Sequence, residues 1–143
     1  MRFLNLLLIV SFLTGACSVK PEPFKFGKDL CHTCKMTLMD PKFGAEVVTK
    51  KGRIFKFDDL VCLNQYLQTE KEAEQNLSHL LVIDFEKGDA FTDAREAWYV
   101  FSTEIKSPMA GHTAAFSSRE TAEKFSGTVN GTLKRWDEVS GKK

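Results

Sequence analysis

A chain of 143 residues with 43% hydrophobic and 27% charged side chains has the length of one compact domain and a globular composition, which excludes a disordered or fibrous polypeptide. The formal net charge of +1, without any basic block, excludes an electrostatic grip on nucleic acid. The apolar residues are unevenly placed, however. Residues 3–16 read FLNLLLIVSFLTGA, behind the single charge of Arg2. That run is too short for a bilayer span, which takes about 20 apolar residues. Its charged start, apolar middle and small-residue end predict a secretory signal peptide over residues 1–16.

Cys17 follows directly. Leu13-Thr14-Gly15-Ala16-Cys17 resembles the lipobox of bacterial lipoproteins, with Leu13 four rather than three residues ahead of the cysteine. Cleavage before Cys17 would leave its thiol carrying diacylglycerol, alongside acyl chains such as palmitate. Each buried CH₂ contributes about 0.8 kcal/mol to such an anchor. The expected location is the cell envelope, lipid-anchored to the membrane and facing the periplasm or the outside. Without residues 1–16, 127 of the 143 residues remain, and the loss of Arg2 balances 19 basic against 19 acidic residues. Spending Cys17 on lipid leaves Cys31, Cys34 and Cys62. Outside the cytoplasm that odd count favours a redox centre, a metal site or a single disulfide over a disulfide scaffold.

Residues 17–26, polar and proline-containing, read as the lipidated tether, and residues 27–140 as the folded unit. A turn-rich segment carries Cys31-His32-Thr33-Cys34-Lys35-Met36. Phe43–Thr49 and Arg53–Phe57 then predict two strands around a Lys50-Lys51-Gly52 hairpin turn. Asp58-Asp59 can cap a helix in which Leu60, Leu63 and Leu67 recur on one side. Leu80–Phe85 predicts a third strand. The second half repeats the order: strands at Trp98–Phe101 and Thr113–Phe116, a capping box at Ser117–Glu120, a helix with Ala122 and Phe125, and a last strand over Leu133–Val139. Phe57-Asp58-Asp59 matches Phe116-Ser117-Ser118. The fold class is therefore α+β, as two similar ββαβ modules, 27–88 and 89–140, packed as one unit, since neither half alone supplies an adequate core.

Soft ligands are dense in this chain. Cys31, His32, Cys34, Met36 and Met39 fall within nine residues, and Cys62, Met109 and His112 follow. Thiolate and thioether sulfurs suit Cu(I), whereas Zn²⁺ has little use for thioethers. Met109 lies in the turn Ser107-Pro108-Met109-Ala110-Gly111-His112, where a methionine buries little, although it can also fold back onto the core. His112 is close enough in sequence to reach the same ion. Cys62, beside the apolar stripe of the first helix, reads first as a small buried hydrophobe and second as a ligand. Met39 reads as packing and His79 as solvated. The Asp58-Asp59 pair is explained by capping more simply than by catalysis. Three other readings of the CxxC stand beside copper: structural Zn²⁺, a Cys31–Cys34 disulfide, and a thioredoxin-like centre. The last is disfavoured by Pro41 soon after the motif and by the absence of a preceding βαβ unit.

These residues in this order, from Cys31-His32-Thr33-Cys34-Lys35-Met36 and Asp40 through Lys50–Asp59 to Ser107-Pro108-Met109 and Ala115-Phe116, resemble the NosL family over about residues 27–140. The resemblance implies a NosL/MerB-like fold and a lipid-anchored Cu(I) metallochaperone, not an enzyme. Its partners would be a nitrous oxide reductase-like copper client, for assembly of that enzyme's copper centre, and a copper-loading transporter. The family's CxxCxM falls on Cys31, Cys34 and Met36, and its Pro-Met turn on Pro108 and Met109; with His112 these form the expected metal ligands. The chain departs from the family pattern at Thr33, where an aromatic is usual, and at Lys35 and Ala110, where glycine is usual. Two alternatives remain open: an extracytoplasmic thiol–disulfide oxidoreductase using Cys31 and Cys34, and a structural zinc-binding module.

Overall fold

The computed structural model describes residues 19–70 and 74–141. The predicted signal peptide, residues 1–16, and the lipidation site Cys17 lie outside the described residues. Among those described, no helix is long and apolar enough to cross a membrane.

The two predicted hairpins form. Strand β1 (Ala45–Thr49) is buried along its whole length, and β2 (Ile54–Phe57) runs antiparallel to it, with Ala45 opposite Phe57 and Val48 opposite Ile54. The turn between them needs Gly52, whose φ is +82°. Helix α1 (Leu60–Thr69) starts at Asp59, whose side chain accepts from the Val61 N–H, and buries Cys62, Leu63 and Tyr66. A short 3₁₀ turn at Glu74–Asn76 leads into β3 (Leu77–Ile83), which pairs antiparallel with the free edge of β1. A three-residue strand, β4 (Phe91–Asp93), extends the sheet beyond β3, giving the order β2-β1-β3-β4.

The second sheet follows the same plan. Strand β5 (Trp98–Phe101) sits centrally between β6 (Thr113–Phe116) and β7 (Thr132–Lys134), and α2 (Arg119–Thr128), capped by Ser118, joins β6 to β7. Thus β5, β6, α2 and β7 repeat β1, β2, α1 and β3 in sequence order and in sheet order. Two readings are corrected. The N-cap of α2 is Ser118, which accepts from the Thr121 N–H, in place of the capping box expected at Ser117–Glu120. The last strand ends at Lys134 rather than Val139, and a short helix α3 (Trp136–Val139) takes its place. Asp137 and Glu138 in its first turn suit a helix N-terminus, and Trp136 turns inward to bury its ring.

One core joins the halves, with Val47, Phe57, Leu63 and Leu80 of the first packed together with Tyr99 and Trp136 of the second. A second, smaller core gathers Phe43 with Val100, Phe116 and Ala122. Residues 19–26, read as tether, lie against the first sheet. The Glu22 N–H donates to Glu46 Oε1 at 2.9 Å, and the Phe24 ring meets Phe91 edge-on at 5.4 Å. From Val19 onward this stretch is part of the folded body.

Candidate metal site

The CxxC motif sits in a knuckle between residues 27 and 38, closed by Gly27 N–H to Leu38 O at 2.8 Å and Leu38 N–H to Asp29 O at 2.9 Å. Inside it, the Cys31 N–H donates to Met36 O at 2.8 Å and the Lys35 N–H to Cys31 O at 3.0 Å. These bonds fold the motif back so that both thiols face inward. Two further bonds dock the knuckle on the first module: His32 N–H to Lys56 O of β2 at 2.7 Å, and Thr33 Oγ1 to Cys62 O of α1 at 2.9 Å.

The dock brings four potential ligands together. One ligand atom each from Cys31, Cys34, Cys62 and Asp58 lies within 4.8 Å of every other. Cys31 and Cys62 are buried and Cys34 is half-buried. The Cys34 thiol reaches Asp58 Oδ1 at 3.5 Å. All three cysteines are free thiols. Burial pushes the Cys62 thiol far above the usual thiol range, with Cys31 and Asp58 adding to the shift. Burial raises Cys34 as well, and its neighbours Cys31 and Asp58 reinforce that. A low-polarity pocket that disfavours thiolates in the metal-free protein favours the neutralisation a bound cation provides.

The aspartate pair divides its labour. Asp58 turns into the thiol cluster, whereas Asp59 caps α1 and also accepts the Met109 N–H on Oδ2 at 2.9 Å. That bond pins the Pro108-Met109 turn to the N-terminus of the helix carrying Cys62. Met109 packs, half-buried, against the core cluster that contains Cys31 and Cys62. Met36 is 54% exposed at the knuckle rim and Met39 is 69% exposed.

His32, inside the CxxC, and His112, three residues after Met109, stand outside the four-residue group. His112 Nδ1 lies 2.8 Å from Ile105 O, and its ring meets Phe101 edge-on. His32 lies among the rings of Phe55, Phe57 and Tyr66, at 4.6–6.2 Å. Burial, with Lys35 second, holds its imidazole below the ordinary histidine range. Sequence reasoning placed Cys31 and Cys34 at the site but treated Cys62 first as packing and Asp58 as capping. The available signal was the helix register, which puts Cys62 one turn from the N-cap and so beside whatever meets that end.

Two ββαβ modules that present three thiols and a carboxylate at one end of a sheet define a small α+β protein with a site suited to a soft metal ion. The chain belongs to the NosL family, whose model matches residues 24–143. The crystal structure of the copper chaperone NosL from Shewanella denitrificans aligns with a TM-score of 0.72, over 85% of this chain and 96% of that one. At 23% identity this likeness is one of fold. Among curated proteins none matches the chain.

Proposed function

We propose that this protein is a Cu(I) metallochaperone, held by lipid on Cys17 at the outer face of a membrane, that passes copper to a client enzyme of the nitrous oxide reductase type. The observation that carries this reading is the convergence of Cys31, Cys34, Cys62 and Asp58 within 4.8 Å. Thiolates are the preferred donors for Cu(I), which accepts two or three of them. The half-buried Cys34, with Met36 at the rim and Met109 pinned beside the cluster, gives an incoming ligand a place to start exchange. Transfer by exchange of one ligand at a time breaks no bond in a substrate, so the protein is not an enzyme. Leu30, Met36 and Val61, exposed beside Cys31, Cys34 and Cys62, supply apolar surface on which a client can seat.

Anaerobic titration against a competing Cu(I) chelator tests the reading. One tightly held equivalent is expected, with affinity reduced at least tenfold in Cys34→Ala/Met109→Ala, about 1.4 kcal/mol. Absence of stoichiometric binding, or affinity unchanged in the double variant, overturns it. A second reading has a specific observation behind it: three thiolates and one carboxylate also satisfy tetrahedral Zn²⁺. Zinc that resists displacement by Cu(I), together with unfolding on chelation, would favour that structural role.

A further inference from the structure

The first hairpin and the start of the described chain meet at one end of the molecule. Val19 lies over the β1–β2 turn, where a Cβ on Gly52 would meet Val19 Cγ2 at 2.9 Å. Beyond Val19 the chain is held down by the Glu22–Glu46 bond and by Phe24 on Phe91. Cys17 stands two residues ahead of Val19, and two extended residues reach only about 7 Å. A lipid carried by Cys17 would therefore be tethered within that reach of the hairpin tip.

That tip is cationic. Lys20, Lys50, Lys51 and Arg53 are exposed there, and among the described residues none of the four joins an ion pair. Among the described residues Glu70 carries an opposing charge on this end, near enough that it and Arg53 both act on the His32 ring. Glu74 is drawn to Arg95 instead, at 3.6 Å. The turn is also braced, with Gly52 N–H on Thr49 O at 2.9 Å and Lys50 N–H on Asn76 O at 3.0 Å. Lys50 and Lys51 thus project from a fixed turn, while the Arg53 guanidinium lies over the Phe55 ring at 4.8 Å with its outer face exposed.

We propose that this tip is the membrane-contact face, with Lys20, Lys50, Lys51 and Arg53 resting on the phosphates of anionic phospholipid headgroups. The inference rests on the lipid-anchor reading and adds an orientation to it. Strand β2 runs from the tip toward Asp58, which follows its far end. Asp58 and the thiols it adjoins accordingly gather toward the end of β2 away from the tip, with room for a client to approach.

The test uses the full chain, purified with its processing complete and reconstituted into vesicles of phosphatidylcholine alone or mixed equally with phosphatidylglycerol. Intact mass first reports acylation at Cys17. Amine acetylation rates are then read at each lysine, with Lys42, at the opposite end of β1, as the internal reference. On anionic vesicles Lys50 and Lys51 are expected to react about fivefold more slowly relative to Lys42 than on neutral ones. Salt at about 1 M, where the Debye length is about 3 Å, should abolish the difference. In Lys50→Gln/Lys51→Gln, whose exposed turn positions leave the core intact, Lys20 should lose most of its protection. An acylated chain whose tip lysines react equally on both vesicles overturns the orientation and leaves the anchor standing. A chain without acyl mass at Cys17 overturns both.

Discussion

Lys35 and Ala110 hold φ angles of +65° and +52°, a region where a Cβ crowds the following carbonyl at roughly 1–2 kcal/mol. Both are positions where the family resemblance leads one to expect glycine, and the backbone has the shape that glycine would give it. Lys35→Gly and Ala110→Gly should each raise the unfolding free energy by about 0.5–1 kcal/mol, after the added freedom of an unfolded glycine is subtracted. Urea denaturation measures this, and a loss of stability would show that the side chains contribute more than the strain costs. Asp58 and Asp59 separate in the same assay. Asp59→Ala removes a helix cap and strands the Met109 N–H, for about 1–2 kcal/mol. Asp58→Asn should leave the denaturation midpoint nearly unchanged while weakening metal binding in titration, because its partner is the Cys34 thiol. At this scale the CxxC was legible because its members are contiguous. Cys62 was not, for a physical reason. Its apolar helix face is equally the face of a core residue, and periodicity cannot say which loop lies across it. The thiol is in fact both, 1% exposed and turned toward Cys31 and Asp58.

Among elements, the contact between the Met109 turn and the first turn of α1 decides how the site is assembled. Gly111 is the close point, where an added Cβ would stand 2.6 Å from Asp59 Oδ1 and 2.8 Å from Val61 Cγ2. Asp59 Oδ1 cannot yield easily, since it is committed to the Val61 N–H. Gly111→Ala should therefore lift the Pro108–Met109 turn from the helix, lower the melting temperature by several degrees, and release Met109 to faster oxidation by peroxide. Peptide mass spectrometry of the Met109 sulfoxide reads the second effect. Unchanged oxidation would show that the turn is held by something other than this approach. The strongly patterned elements were legible in sequence: both hairpins, both capped helices, and the matching order of the halves. Strand β4 was not, because Phe91-Thr92-Asp93 is too short to show a period and is held only by the edge of β3. The last strand was overextended because Trp136 and Val139 are as apolar as strand residues. Only the packing shows that Trp136 faces the core from a helix whose indole Nε1 meets Glu74 Oε1 at 3.3 Å.

Over the whole molecule, two buried carboxylates give stability opposite dependences on pH. Asp84, at the end of β3, accepts the N–H groups of Glu86, Lys87 and Ser117 and the Ser117 hydroxyl, which ties the first sheet to the end of β6. Burial alone would raise its pKa, but these bonds outweigh it and hold the carboxyl below its ordinary value. Its contribution is therefore present above that ordinary value and is lost as the pH falls through the lower folded one. Glu46, fully buried in the centre of β1, behaves in the reverse sense. It accepts the Glu22 N–H on one oxygen, while Oε2 has no hydrogen-bond partner, and burial pushes its carboxyl up to about 7. Unfolded, it titrates near 4.5, so between those values the folded state binds more protons and stability falls as the pH rises. The shift corresponds to on the order of 3 kcal/mol across that interval. Glu46→Gln keeps an acceptor for Glu22 and removes the ionisation. It should match the parent protein near pH 4.5, exceed it by that margin at pH 8, and show a flatter profile in thermal melts between the two. Equal slopes would mean that Glu46 ionises at its ordinary value in the fold, with Lys56 compensating it fully. In that event the packing of residues 19–26 onto the sheet would be independent of pH, and the hairpin tip would keep its place beside the chain start at every pH.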